Sequence, residues 1–140
     1  MPTKSGVTYV NPRSAGPAQG MYSHVARMTP GEIAFIAGQV AIDAKGVPQG
    51  VGDVGAQVPV VFDNLGKILE DLGTDFASIV QFTTYITSAD YIPAFMAARA
   101  EVFPKIFPGG KYPPNTLLVV NRLVKPEFLI EIEAIARLPD

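Results

Sequence analysis

The sequence predicts an α+β fold: a mixed β-sheet of about six strands with two helices packed on one of its faces. Amphipathic segments alternate with short segments rich in β-branched and aromatic residues, in the order strands, helix, strand, helix, two strands. A helix after a strand is typical of a crossover between parallel strands, whereas the short link Lys125–Glu127 predicts that the last two strands are antiparallel neighbours. The second face of the sheet is left for contact with another subunit.

The first part of the chain predicts three strands. Residues 1–20 contain many turn-forming residues and indicate an extended arm with a brief strand at Val7–Val10. A second strand is predicted over Met21–Met28, and a third over Glu32–Ile42, which is apolar on both faces, as in a central strand. Gly38 interrupts this third strand. It indicates either a β-bulge or a close approach to the backbone that would expose an amide N–H to a ligand.

The first helix is predicted from an N-cap at Asp53 to Leu72, with Gly73 as the stop. Its apolar residues follow the three-four spacing of a single buried stripe. Pro59 is too deep for the first turn, so the helix either kinks there or begins later.

The second helix is predicted from a cap at Asp90 to Ile106. Arg99 falls inside its apolar stripe, where the stem can pack while the guanidinium reaches a partner. The remaining strands are predicted over Ala77–Thr87, Asn115–Leu123 and Phe128–Leu138.

The composition predicts a single domain, residues 1–140, that assembles with copies of itself. Charged residues make up only 17% of the chain, where roughly 25% is usual. With so few charged residues, a small domain has too little polar surface to cover itself. We therefore expect part of its apolar surface to be buried against other copies of the chain.

Charge and cysteine content argue against several classes of protein. The net charge is −2 and the Lys and Arg residues are scattered singly, which disfavours nucleic acid as a partner. The absence of cysteine excludes disulfides, thiolate catalysis and Cys-ligated metals, and it fits a reducing cytoplasm. The first twenty residues lack a signal or membrane-spanning pattern, so we expect a cytoplasmic protein with no membrane contact.

The last strand carries the best candidate for acid–base chemistry. Its period-two alternation places Leu129, Glu131, Glu133 and Ile135 on one face and Phe128, Ile130, Ile132, Ala134 and Ala136 on the other. Aliphatic side chains beside two carboxylates indicate a partly covered face, and a half-sheltered carboxylate suits a general base. The pattern is explained equally well if both glutamates lie on the solvent-exposed face of an edge strand.

Other candidate sites are weaker. His24 is the only histidine and lacks both the cysteines of a zinc site and a nucleophile-elbow motif. A bond to backbone or solvent is therefore favoured for it. Gly109–Gly110 lacks the context of a phosphate-binding loop, and the aromatic residues are spaced as core residues rather than as a base-stacking surface.

An ordered set of segments across nearly the whole chain resembles the RidA/YjgF family, also called L-PSP endoribonuclease-like. The segments are Tyr22–His24, Phe35–Gln39, Asn64–Leu65 with Ile68–Leu69 and Gly73, Thr83–Tyr85, Phe103, Pro113–Asn115 and Ile130–Ala136. The resemblance implies a chorismate-mutase-like fold assembled as a homotrimer, with small-metabolite clefts between subunits and neither a metal nor an organic cofactor.

Active members of this family hydrolyse reactive enamines and imines to a keto acid and ammonia. An arginine clamps the substrate carboxylate, and a glutamate on the last strand positions or activates water. The resemblance implies that Glu131 is this catalytic glutamate, that Tyr22 lines the cleft and that Gly38 is a backbone donor.

Three family positions differ in this chain. Asn115 stands where the arginine should follow Pro113–Pro114, Ala37 replaces a serine, and Met96 replaces a helix asparagine. Losing a charge-assisted pair costs about 2–5 kcal/mol, or roughly 30- to several-thousand-fold in affinity. We therefore expect a substrate other than a simple α-imino acid. Lys111 or Arg99 is a candidate for the missing charge, although the sequence places neither in the cleft.

These features support a hydrolase resembling the RidA deaminases, with Glu131 as base. A non-catalytic protein that binds a small metabolite in the same cleft is the alternative. Ribonuclease activity fits poorly, because the chain has neither a histidine pair nor a basic groove.

Overall fold

A computed structural model describes residues 4–140, so the first three residues of the expected N-terminal arm lie outside the described part. The α+β class is confirmed, and every expected strand and helix is present, although β2, β3 and β5 are clearly shorter than predicted. The strands are β1 (Val7–Val10), β2 (Val25–Met28), β3 (Ile33–Gln39), β4 (Ile79–Ile86), β5 (Asn115–Val119) and β6 (Ile130–Arg137). The helices are α1 (Val54–Asp71) and α2 (Ile92–Ile106).

The strands form two sheets rather than the single mixed sheet that the sequence predicted. β1 pairs with β2, and the other strands form a four-stranded sheet in the order β3-β6-β4-β5. β5 is parallel to β4, whereas β6 is antiparallel to both β3 and β4. The last two strands run antiparallel to each other, as predicted, but they are not neighbours, because β4 lies between them. The apolar face of β6 is almost fully buried, which suits the centre of a sheet better than its edge.

Helix α1 begins as expected. The Asp53 side chain caps it by accepting a hydrogen bond from the backbone N–H of Ala56 at 3.2 Å. The first helical residue is Val54 and Pro59 lies inside the helix, so the alternative of a later start is wrong. After the helix ends, Gly73 adopts a φ of 77°, a conformation that favours glycine.

Helix α2 is capped differently from the prediction. Asp90 lies in a 3₁₀ turn, Ala89–Tyr91, and the Ser88 side chain accepts the hydrogen bond from the backbone N–H of Asp90. The helix itself begins at Ile92. Asp90 is therefore not the cap, because Ser88 takes that position at the start of the preceding turn.

Among residues 4–140, neither helix is both long and apolar enough to cross a membrane.

The core lies between the two helices and the four-stranded sheet, as the sequence predicted. Phe103 of α2 packs edge-to-face against Phe62 of α1 and against Phe107, with ring centroids 5.4 and 5.0 Å apart. Phe82 of β4 joins the same cluster at 5.7 Å from Phe62. Such pairs stabilise by about 0.5–1.5 kcal/mol beyond the area that they bury. The expectation that the aromatic residues form the core is confirmed for these residues, whereas Phe35 of β3 is exposed.

A fully buried glutamine ties helix α1 to the segment that leads into β6. The Gln57 amide donates to the carbonyl oxygens of Glu127 at 2.8 Å and Gly50 at 3.2 Å. Its Oε1 accepts a hydrogen bond from the backbone N–H of Leu129 at 2.9 Å. These bonds hold the start of β6, and thus the strand that carries Glu131, at a defined position above α1.

We predict that Gln57→Leu lowers the free energy of unfolding by about 2–4 kcal/mol, because buried polar groups lose their partners. Equilibrium urea unfolding at one protein concentration measures this loss. Lys67→Ala is the control, since Lys67 forms only an exposed ion pair with Asp63 on the same helix, and its expected cost is below about 1 kcal/mol. Equal effects of the two substitutions would contradict the role of Gln57.

Candidate functional site

The face of the four-stranded sheet opposite the helices carries the two candidate carboxylates. Glu131 and Glu133 alternate on β6 with fully buried apolar residues, and both side chains are half-buried. In the register with β4, Tyr85 pairs with Glu131 and Thr83 with Glu133. The alternation predicted for β6 is confirmed. The edge-strand alternative is wrong, because β3 and β4 flank β6 on both sides. We call this surface the open face.

Gly38 lies directly against the side chain of Glu131. A Cβ atom at position 38 would fall 2.6 Å from the Glu131 carboxyl carbon and 2.7 Å from its Oε1. The pairing of β3 with β6 also shifts between Ile36 and Gln39. The expected bulge is therefore confirmed, and the group that lies against Gly38 is the carboxylate of Glu131. A backbone donor to a ligand at Gly38 stays a prediction. Space at position 38 is what allows Glu131 to occupy its place.

The environment of Glu131 makes it a stronger base than an ordinary glutamate. Partial burial is the main cause of its raised pKa, and the neighbouring charge of Glu133 adds to it. The Tyr85 hydroxyl donates a hydrogen bond of 2.6 Å to Glu133 Oε1. This bond raises the pKa of Tyr85 and fixes the second carboxylate beside the first. The sequence placed Glu133 on this face, but the contact with Tyr85 depends on the register between β4 and β6.

A shallow groove of about 440 Å³ runs along the open face beside Glu133. Ala37 is exposed and lines it together with Phe35, Thr83 and Glu133. Phe35 is 78% exposed, which is unusual for a phenylalanine. Ala37 therefore contributes only a methyl group, in a groove whose floor is partly apolar.

The remaining predicted site residues lie on the opposite, helix-covered side of the sheet. Tyr22, Met96 and Asn115 line a second cavity, of about 350 Å³, together with Arg99. Asn115 pairs with Phe82 in the register of β5 with β4, so it shares the side of the sheet that faces the helices. We call this second group of residues the helix-side cavity.

Hydrogen bonds orient two members of the helix-side cavity. The Tyr22 hydroxyl accepts from the backbone N–H of Gln19 at 3.0 Å, and Asn115 Oδ1 accepts from the Thr84 hydroxyl at 2.7 Å. Arg99, which the sequence left without a place, lies in this cavity. Lys111 lies outside both groups, against a cavity lined by Tyr9 and Phe107.

The structure thus divides the predicted site into two groups. Gly38 and Glu131 lie on the open face, whereas Tyr22, Met96 and Asn115 lie in the helix-side cavity. Within one protomer, the four-stranded sheet separates the two groups. A cleft that contains both requires the open face of one copy to meet the helix-side cavity of another.

His24 takes no part in either group's polar contacts. Its Nε2 is 2.9 Å from the carbonyl oxygen of Gly16, and its ring packs edge-on against Tyr22 with centroids 5.9 Å apart. The expectation of a histidine bonded to the backbone is confirmed. In the described part of the chain, no cluster of three histidine or acidic residues could hold a metal ion.

Comparisons with known proteins identify the family of the chain. The family model described as Endoribonuclease L-PSP matches residues 13–138. Protein DfrA of Myxococcus xanthus is 31% identical over 126 residues, covering 89% of this chain and 88% of its own. A RutC family protein of Pyrococcus horikoshii is 34% identical over 117 residues, which cover 84% of this chain and 86% of that protein.

Solved structures show the same fold. YyfB of Yersinia pestis, described as a conserved Rid family protein of unknown function, has a TM-score of 0.84 at 32% identity, covering 95% of this chain and 99% of its own. TdcF of E. coli, solved with bound serine, has a TM-score of 0.67 at 24% identity, covering 93% and 98%. The second likeness supports the fold alone. By its matched family model, its relatives and its fold, the chain belongs to the RidA/YjgF family.

Proposed function

We propose that the protein is a homotrimeric hydrolase whose clefts form between subunits and act on a small imine, enamine or related metabolite. The observation that carries this proposal is the carboxylate of Glu131, half-buried on the open face, raised in pKa and held in the gap that Gly38 leaves. The family supplies a fold that binds small molecules. The cleft is the place where the two groups of site residues would meet.

The open face supports the proposed assembly. Ile33, Phe35 and Leu118 are 42%, 78% and 43% exposed, and they share this face with the carboxylates. Exposed apolar side chains of this size favour a contact with another subunit. Because the open face would meet a different surface, the contact is heterologous, and such contacts close into a ring when the rotation permits. A trimer is the closed ring that the family resemblance implies.

The proposed chemistry uses Glu131 as a general base. The carboxylate removes a proton from water as the oxygen attacks the imine carbon, and the protonated carboxyl then returns a proton to the nitrogen. The carbinolamine collapses to a carbonyl compound and ammonia. An enamine first takes a proton on carbon and loses one from nitrogen, which gives the imine. A raised pKa makes Glu131 a better base for removing the proton from water, because it strengthens the bond to the transferred proton.

The residue at position 115 bears on the substrate. Asn115 is neutral and its Oδ1 already accepts a hydrogen bond from Thr84. A carboxylate on the imine carbon would therefore find no charged partner at position 115. We accordingly propose a substrate other than a simple α-imino acid.

Since the chain contains no cysteine, we propose the cytoplasm as its location.

A non-catalytic metabolite-binding protein is the second candidate. Ala37, Met96 and Asn115 replace three polar residues that the family resemblance implies, which leaves the cleft fewer groups for holding a reacting substrate. Thermal stabilisation by a metabolite without turnover of any imine or enamine would favour this candidate. RNA cleavage, which the family model's name suggests, is a poorer fit, because the single histidine is bound to the backbone and the chain is acidic overall.

We predict that Glu131→Gln abolishes hydrolysis while ligand affinity changes little, because the amide keeps the shape of the carboxyl group but cannot accept the proton. Release of carbonyl product from imines generated in situ measures the first effect, and calorimetry measures the second. The control is Glu32→Gln, an exposed glutamate next to β3, which should retain full activity. Unchanged turnover in Glu131→Gln would contradict the proposed base.

We predict that Gly38→Ala reduces kcat by at least about tenfold, because a methyl group at position 38 pushes the Glu131 carboxylate out of place and a misplaced base is a poor catalyst. Gly109→Ala is the matched control, since a Cβ atom there would meet no other atom within 4 Å. The same assay tests both variants. Full activity in Gly38→Ala would show that the position of Glu131 is not critical.

We predict that the acid limb of the pH profile of kcat/KM has its midpoint above the usual pKa of glutamate, about 4.3. Deprotonated Glu131 is the active form, so the rate rises with pH through its raised pKa. Glu133→Gln removes the neighbouring negative charge, lowers the pKa of Glu131 and moves the limb to lower pH. A limb that stays in place in this variant would show that Glu133 has no effect on the base.

A further inference from the structure

Arg99 is a buried cation in the helix-side cavity. It lies on α2 and is only 3% exposed, and it lines the cavity together with Tyr22 and Asn115. Gly20 lies over the end of the guanidinium, where an added Cβ atom would be 3.2 Å from Arg99 Nη2. The positive charge is therefore enclosed by protein except on the side of the cavity.

This guanidinium lacks an adequate acceptor. Its Nε is buried without a hydrogen-bond partner, and its Nη2 donates only to the Met96 sulfur, at 2.9 Å. A thioether is a weak acceptor. Neither of the two ion pairs found among residues 4–140 includes Arg99. A buried charge is normally paired or fully hydrogen-bonded, so the arginine has capacity for an additional partner.

Arg137 shows how the same chain treats an arginine with a structural role. It is 2% exposed, yet its guanidinium donates to the carbonyl oxygens of Ser5, Thr29, Pro30 and Leu138. It also pairs with the Asp140 carboxylate at 3.2 Å. Two arginines of nearly equal burial thus differ in their partners: Arg137 is satisfied by the protein, and Arg99 is not.

Aromatic rings hold the Arg99 guanidinium in a defined orientation. Its Cζ atom lies 4.9 Å from the ring centroid of Phe95 and 5.6 Å from that of Phe103. Burial lowers the pKa of Arg99, but an arginine keeps its charge at neutral pH because its ordinary pKa is so high. The cavity therefore contains a charged, planar and pre-oriented donor, the geometry that suits a carboxylate.

We propose that Arg99 binds the carboxylate of the ligand and so supplies, from helix α2, the positive charge that position 115 on β5 lacks. This inference rests on the proposed cleft and narrows its ligand to a small organic carboxylate, which for the hydrolase is an imine or enamine that carries a carboxylate. Because Arg99 is on α2 and position 115 is on β5, the carboxylate occupies a different place from one clamped at position 115.

The test compares two probes of the same shape, pentanoate and pentanamide, by ligand-observed NMR titration of the full-length protein. We expect the wild type to bind pentanoate at least about 30-fold more tightly than pentanamide, as a charge-assisted contact in a sheltered site provides. Arg99→Gln should abolish this difference. Arg122→Gln is the control, because exposed Arg122 donates only to neighbouring carbonyl oxygens, and it should keep the difference.

A second variant separates binding from a structural role. Arg99→Met removes an unpaired buried charge, so it should unfold at the same temperature as the ligand-free wild type or higher. Pentanoate should raise the unfolding temperature of the wild type but not that of Arg99→Met. A variant that unfolds at a lower temperature, or that sediments as a smaller species, would overturn the proposal, because Arg99 would then be a structural or intersubunit partner.

Retention of the pentanoate preference in Arg99→Gln, or its absence in the wild type, would also overturn this inference. Neither result touches the proposed reaction, which Glu131→Gln tests. Conversely, unchanged turnover in Glu131→Gln with a lost preference in Arg99→Gln would reject the hydrolase and keep the carboxylate-binding cleft.

Discussion

The burial of one face of β6 is the constraint on which the rest of the structure depends. Ile130, Ile132 and Ala136 of this strand are fully buried under the helices, and β3 and β4 satisfy its backbone on both sides. Gln57 adds a direct connection from α1 to the residues just before the strand. Because side chains alternate along a strand, burying these residues forces Glu131 and Glu133 onto the open face. The position of the proposed base thus follows from the packing of the core.

The sheet that orients the base also separates it from the helix-side cavity. No side-chain movement within one protomer can bring Glu131 and Asn115 together, since they occupy opposite sides of the same four strands. Assembly would therefore do more than cover apolar surface: it would complete the site. The proposed assembly would also explain the low fraction of charged residues, 17%, and the exposed Phe35 on the open face.

Local patterns in the sequence were sufficient for much of this description. Period-two alternation placed both glutamates on one face, and three-four spacing located the two helices. Strand order was not predictable in the same way, because the short link suggested that β5 and β6 pair, whereas β4 lies between them in the sheet. The side of the sheet that Asn115 occupies depends on its register with Phe82, a long-range contact. Likewise, serine and aspartate are both good cap residues, so the sequence did not show that Ser88 caps a 3₁₀ turn that contains Asp90.

The environment of the Arg99 guanidinium is the clearest example of a feature that the sequence did not predict. From the sequence, Arg99 is one residue in an apolar stripe, and a packed stem with a satisfied guanidinium is the ordinary outcome. In the structure, Phe95, Phe103 and Gly20 instead enclose the Arg99 guanidinium. The Met96 sulfur is its only hydrogen-bond acceptor in residues 4–140. Burying such a charge lowers stability unless a partner compensates it. Because Arg137 shows that this chain can supply carbonyl oxygens to a buried arginine, the lack of them around Arg99 is best explained by a partner that comes from outside the protomer.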